Sequence, residues 1–74
     1  MFPNKVISVK ESILWKLVKI IEILNSHSML IITLWGKVSH HFDDINQFIF
    51  CLELLYVMDK LEYSENYKVV EYVD

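Results

Sequence analysis

The run Asp43-Asp44-Ile45-Asn46-Gln47-Phe48-Ile49-Phe50-Cys51-Leu52-Glu53-Leu54-Leu55-Tyr56-Val57-Met58-Asp59-Lys60 says most about how this chain folds. Asp43 or Asp44 can cap a helix, and Asp44 with Gln47 has the spacing of a capping box. The spacing predicts a helix from Ile45 to about Lys60. Ile45, Phe48, Ile49, Leu52, Leu55 and Tyr56 fall on one face, while Phe50, Leu54 and Val57 lie nearly opposite. Between Ile45 and Met58 the one charged residue is Glu53. A helix that is apolar on most sides must be covered on most sides.

Downstream, Leu61 and Tyr63 alternate with Glu62, and Ser64-Glu65-Asn66 reads as a turn in which Asn66 takes a left-handed conformation. Tyr67 to Val73 is rich in β-branched and aromatic residues, so a returning strand is expected. Upstream, Thr33-Leu34-Trp35-Gly36-Lys37-Val38 predicts a short second helix with Leu34 and Val38 inward. Met29 to Ile31 suits a short strand or the start of that helix, after a turn at Asn25-Ser26-His27-Ser28. Ser8 and Glu11 have capping-box spacing ahead of a first helix from Val9 to about Asn25. Leu14, Leu17, Val18, Ile21 and Leu24 make its main apolar stripe, widened by Ile13 and Ile20, with Trp15 and Ile23 outside it. Pro3 disfavours helix at Phe2, so residues 1–7 read as an extended arm. The expected domain is therefore 1–74, with an arm (1–7), three helices (8–60) and a wing hairpin (61–74). This is mainly α with a C-terminal β-hairpin, an α+β class with the order of a winged helix-turn-helix.

Composition narrows the function. The chain has 74 residues, 54% hydrophobic and 23% charged, with one Gly and one Pro, which excludes disordered and low-complexity classes. Its net charge is -3, and all seven basic residues are Lys. Without Arg, bidentate reading of guanine or phosphate is disfavoured. A chain this short buries only about 60% of the surface it exposes when unfolded, so so much apolar residue predicts surplus apolar exterior. No apolar run reaches the roughly 18 residues of a membrane span, and the N-terminus lacks the order of a signal peptide. The single Cys51 cannot form an internal disulfide, which suits a reducing cytosol.

Pro3-Asn4-Lys5, Glu11-Ser12-Ile13-Leu14, Thr33 to Val38, and Phe48 to Val57 followed by a strand and a turn together resemble a known family. They look like the middle components of ABC three-component systems, of the sixth short middle-component class. Gly36 inside the second helix and Asn66 in the wing turn, where members tend to have Gly, depart from that pattern. The resemblance implies a Lamassu-like bacterial defence setting. There, a large ATPase of the chromosome-maintenance and double-strand-break-repair type and an effector, often a nuclease, are tethered or regulated by the small middle protein. It implies a cytoplasmic hetero-oligomer that meets DNA only through the complex.

The residues themselves offer little catalysis. His27, His40, His41 and Cys51 are the only soft metal ligands, and adjacent His40 and His41 project differently, without the spacing of a helical two-His site. Cys51 reads as a packed thiol. No serine sits in a nucleophile motif, and one glycine cannot build a phosphate loop. No catalytic residue, cofactor or metal is assigned. For DNA, the third helix offers Asn46, Gln47 and Lys60 behind two repelling aspartates, while Lys10, Lys16 and Lys19 could make weak backbone contacts. The stronger signal is outward apolar residues: Trp15, Ile23, Phe50, Leu54 and Val57, with Trp35 as a further aromatic anchor and the strand from Tyr67 as an edge for strand addition. The expected role is an adaptor held by larger partners. A winged-helix DNA-binding regulator and a self-pairing antitoxin-like domain are the alternatives.

Overall fold

In a computed structural model, which describes the backbone of residues 3–73 and the side chains of residues 12–73, the chain is mainly helical with a small antiparallel sheet. Helix α1 spans Pro3–Leu24, strand β1 Met29–Leu30, helix α2 Ile31–Val38, helix α3 Ile45–Val57, strand β2 Leu61–Ser64 and strand β3 Val69–Tyr72. A 3-10 turn, Ser39–His41, links α2 to α3. The sheet order is β1-β3-β2, all antiparallel, so the expected α+β architecture and winged-helix element order are present.

Helix α1 starts earlier than the capping box predicted. Pro3 is its first residue, a position where the missing N–H costs nothing and the fixed φ is already helical. Ser8 therefore lies inside the helix, and the expected arm is helical from Pro3 on; Met1 and Phe2 lie outside the described residues. After the turn at Asn25–Ser28, β1 runs directly into α2, two residues before the predicted start. Leu30 has no side-chain cap to offer, and the Ile31 N–H instead donates to the Lys68 carbonyl at 2.7 Å. The chain ahead of β3 thus satisfies an otherwise orphaned donor of α2.

Helix α3 begins as its sequence says. The Asp44 carboxylate accepts from the Gln47 N–H at 3.0 Å, and the Gln47 side-chain oxygen accepts from the Asp43 N–H at 3.2 Å. The helix stops at Val57 rather than Lys60. Asp59 takes φ 60°, the Asp59 N–H donates to the Tyr56 carbonyl and the Lys60 N–H to the Leu55 carbonyl. That pair of bonds is a Schellman closure with Asp where Gly is usual.

The hairpin turn is wider than expected. Glu65, Asn66 and Tyr67 all have positive φ (53°, 58° and 66°), so β3 starts at Val69 and Tyr67 belongs to the turn. The core gathers Leu17, Ile20 and Leu24 from α1, Leu34 and Val38 from α2, and Phe48, Cys51, Leu52 and Leu55 from α3. Phe42 from the linker and Leu61 and Val70 from the sheet complete it. Trp35, Phe42 and Phe48 pack ring against ring, with centroids 5.0 to 6.1 Å apart.

Two backbone positions are not at their optimum. Gly36 is mid-helix with open space where a Cβ would sit, and Asp59 is left-handed. Gly36→Ala and Asp59→Gly are each expected to raise stability by about 1 kcal/mol, or about 4–8 °C in Tm for a chain of this length. Thermal melts followed by circular dichroism, with the double variant additive, check this.

Candidate partner-docking surface

The buried side of α3 is the one its periodicity favoured at Phe48, Leu52 and Leu55, but rotated. Phe48, Cys51, Leu52 and Leu55 face the core, whereas Ile45, Ile49 and Tyr56 are exposed. The stripe is rotated toward Cys51 because α1 docks on that side, where the Lys16 Nζ donates to the Gln47 side-chain oxygen. Lys16 is only 6% exposed, and its ammonium also lies 5.5 Å from the centroid of the Phe42 ring. A buried lysine usually pairs with a carboxylate; here a neutral amide and an aromatic face hold it.

On α1 the same docking leaves Leu14 and Val18 exposed, contrary to the predicted stripe, and keeps Leu17, Ile20 and Leu24 buried. Trp15 is exposed as expected; its ring meets His41 edge-on at 4.7 Å and carries Lys19 at 4.9 Å. Phe50 and Val57 are exposed, Val57 at 77%. Ile23, Trp35 and Leu54 are half-buried against the core, so they offer only edges to a partner. Tyr67 is exposed in the wing turn.

Of the three lysines expected to offer weak nucleic-acid backbone contacts, Lys16 is buried and the Lys10 side chain lies outside the described residues. Lys19 is half-exposed and pairs with Glu22 at 3.6 Å. The strand edge expected at Tyr67–Val73 is covered at Val69 and Val70, where β3 is the middle strand and pairs with both β1 and β2.

The exposed residues of α3 do not stand alone. Ile45 and Ile49 join Leu30, Ile32 and Trp35 to line an open groove of about 440 Å³, with Tyr67 and Lys68 at its wing end. Ile32 is 75% exposed. Sequence reading missed Leu30 and Ile32. The unbroken run Met29-Leu30-Ile31-Ile32 was the available signal, because neither a strand nor a helix turns four consecutive side chains to one face.

Polar chemistry near these surfaces is sparse. The 3-10 turn brings the His40 and His41 rings to 3.9 Å, closer than adjacent residues on a loop suggested. Desolvation, then the neighbouring His40, Lys19 and Lys16 charges, lower the His41 pKa below its ordinary 6.5. Burial pushes the Cys51 thiol up, opposed by Lys16, so the thiol is a packed core group. Among the described residues no three His, Cys, Asp or Glu side chains are grouped to hold a metal ion, and no helix is long and apolar enough to cross a membrane.

What these features define is a small helical domain with a strand hairpin and more apolar surface than its core absorbs. The family described as ABC-three component (ABC-3C) system Middle Component 7 matches residues 2–70, and the chain belongs to it. The resemblance to a middle component stands, with the class being the seventh rather than the sixth. No curated protein and no solved structure matches the chain.

Gln47→Leu removes the one hydrogen-bond acceptor the structure gives the Lys16 ammonium and is expected to cost about 2–3 kcal/mol, whereas Lys16→Met with Gln47→Leu recovers most of it. Urea unfolding of the singles and the double checks the cycle. His41 is expected to titrate below 6.5 by NMR. Its folded pKa is depressed, so the stability its neutral form contributes is present above about pH 6.5 and is lost as pH falls through the folded value. His41→Gln should flatten that acid limb; an unchanged limb would assign it elsewhere.

Proposed function

We propose that this middle component is a non-catalytic adaptor of a bacterial anti-phage or anti-plasmid defence complex. It bridges a chromosome-maintenance-like ABC ATPase and an effector, often a nuclease, in a cytoplasmic hetero-oligomer. Family membership supports interaction with other components of the same system. The observation that carries the mode of interaction is α3, whose exposed Ile45, Ile49, Phe50, Tyr56 and Val57 flank a single buried stripe. Burying an Ile or Val side chain contributes roughly 1.5–3 kcal/mol, so several of these together supply a stable interface. Trp15 and Trp35 extend the apolar surface as aromatic anchors.

DNA reading finds less support. The α3 N-terminus, where a phosphate would be favoured, carries Asp43 and Asp44, and Asp44 already occupies the free amide of Gln47. Lys16 is buried and Lys19 is engaged.

Co-expression with the ATPase and effector encoded beside it, followed by size-exclusion chromatography, tests the proposal. The parent chain is expected to co-elute with at least one of them. Ile49→Asp and Phe50→Asp, both at exposed positions, are expected to abolish co-elution without lowering stability by more than about 1 kcal/mol. Retained co-elution of both variants would remove α3 as the docking face. Tight, salt-sensitive binding of the lone chain to duplex DNA would replace the adaptor reading with the regulator.

A further inference from the structure

The sheet has a second surface, which shares Tyr56 and Val57 with the exposed side of α3 but runs along β2 away from Ile49 and Phe50. Strand β2 is bonded to β3 on one side alone. The register pairs Leu61 with Tyr72 and Glu62 with Glu71, and the Val73 N–H donates to the Lys60 carbonyl at 2.9 Å. In an antiparallel ladder, hydrogen-bonded and non-bonded pairs alternate. Lys60, Glu62 and Ser64 therefore point their backbone groups at β3, and Leu61 and Tyr63 turn theirs to the open edge. Along that edge runs a cleft of about 890 Å³, lined by β2, the C-terminal end of α3 and the wing turn.

The floor of the cleft is aromatic. Tyr56 and Tyr63 have ring centroids 5.3 Å apart, and Tyr63 and Tyr67 5.8 Å apart. The three consecutive left-handed residues Glu65, Asn66 and Tyr67 set the last of these rings in place. A tyrosine with φ 66° is costly by about 1–3 kcal/mol, and such strain collects at sites that bind. The charge around the floor has one sign. Asp59 and Glu62 line the cleft, and no lysine does. Glu71 sits directly across from Glu62, a like-charge pair that disfavours the hairpin itself. Burial first, then the Glu53 carboxylate and Tyr56, push the Tyr63 phenol up, so Glu53 lies by the tyrosine face while Glu62 and Glu71 lie on the other face of the hairpin.

We infer that the open edge of β2 receives an extended, basic peptide segment of a partner, pairing with Leu61 and Tyr63 and turning alternate side chains to the two faces of the sheet, Arg or Lys against Glu62 and Glu71 on one and apolar residues over the tyrosines on the other. Strand addition supplies the backbone bonds, pairing with the Glu62 and Glu71 carboxylates selects the charge, and the tyrosines receive the apolar side chains. A second copy fits poorly, because antiparallel edge-to-edge pairing sets the carboxylates of one β2 beside those of the other. The inference is independent of docking through Ile49 and Phe50.

Fluorescence anisotropy of the full chain with labelled hexapeptides tests it. The probes are an alternating arginine–valine peptide, its glutamate–valine counterpart, and the basic peptide with alternate backbone amides N-methylated. The basic peptide is expected to bind, with hydrogen exchange slowed at the Leu61 and Tyr63 amides. Glu62→Lys with Glu71→Lys, at exposed positions, is expected to weaken binding by about tenfold or more, and Tyr67→Ala by about threefold or more. Ile49→Asp leaves it unchanged. Equal binding of the methylated peptide, equal binding of the acidic peptide, or protection of the β2 edge by self-association of the lone chain each overturns the inference.

Discussion

The bond between Lys16 and Gln47 sets the orientation on which the remaining surfaces depend. Gln47 stands in the first turn of α3, where its backbone N–H is held by Asp44 and its side-chain oxygen by the Asp43 N–H. The amide oxygen that receives the Lys16 ammonium is therefore already fixed. Docking α1 there turns Cys51 inward and Ile49 outward. A hydrophobic contact at the same place would tolerate a rotated α3, since nearly every side of that helix is apolar. The Lys16 ammonium favours the rotation that keeps the Gln47 oxygen, its acceptor among the described residues. The polar contact thus contributes definition of one arrangement more than it contributes stability.

With the rotation fixed, the distribution of apolar surface follows. The core draws on one stripe of each helix and the inner face of a three-stranded sheet. Nothing in the described residues covers Ile45 and Ile49 on one side of α3, or Phe50 and Val57 on another. In a longer domain a further helix would sit there. Membership of a family of middle components is consistent with larger neighbours supplying that cover.

Local chemistry made several elements legible: the Asp44 cap, the turn at Asn25–Ser28, the inward pair Leu34 and Val38, and the left-handed Asn66. The exposure of Trp15, Phe50 and Val57 was also readable, because they lie off the main apolar stripe of their helices. The start of α1 was not, since Ser8 and Glu11 offer a capping box that a proline further upstream makes unnecessary. The burial of Lys16 was invisible too. Nothing near it in sequence is its partner, and Gln47 is 31 residues away. The face of α3 was legible at Phe48, Leu52 and Leu55 but not in its rotation toward Cys51, since periodicity cannot fix the edges of a stripe on a helix apolar on most sides.

Tyr67 shows how closely the two candidate surfaces adjoin. It lines the groove of Ile45 and Ile49 and also the cleft along β2. Its left-handed backbone comes from a turn that holds the hairpin together by Lys68 N–H bonds to the Ser64 and Glu65 carbonyls, at 3.1 and 3.2 Å. The next carbonyl, that of Lys68, accepts from the first amide of α2. A rearrangement of the wing turn would therefore disturb the α2 start, the groove beside it and the tyrosine floor together. Loss of binding through Tyr67 alone cannot assign a partner to either surface, whereas Ile49 belongs to the groove and Glu62 to the strand edge. The separation of the two surfaces rests on those residues.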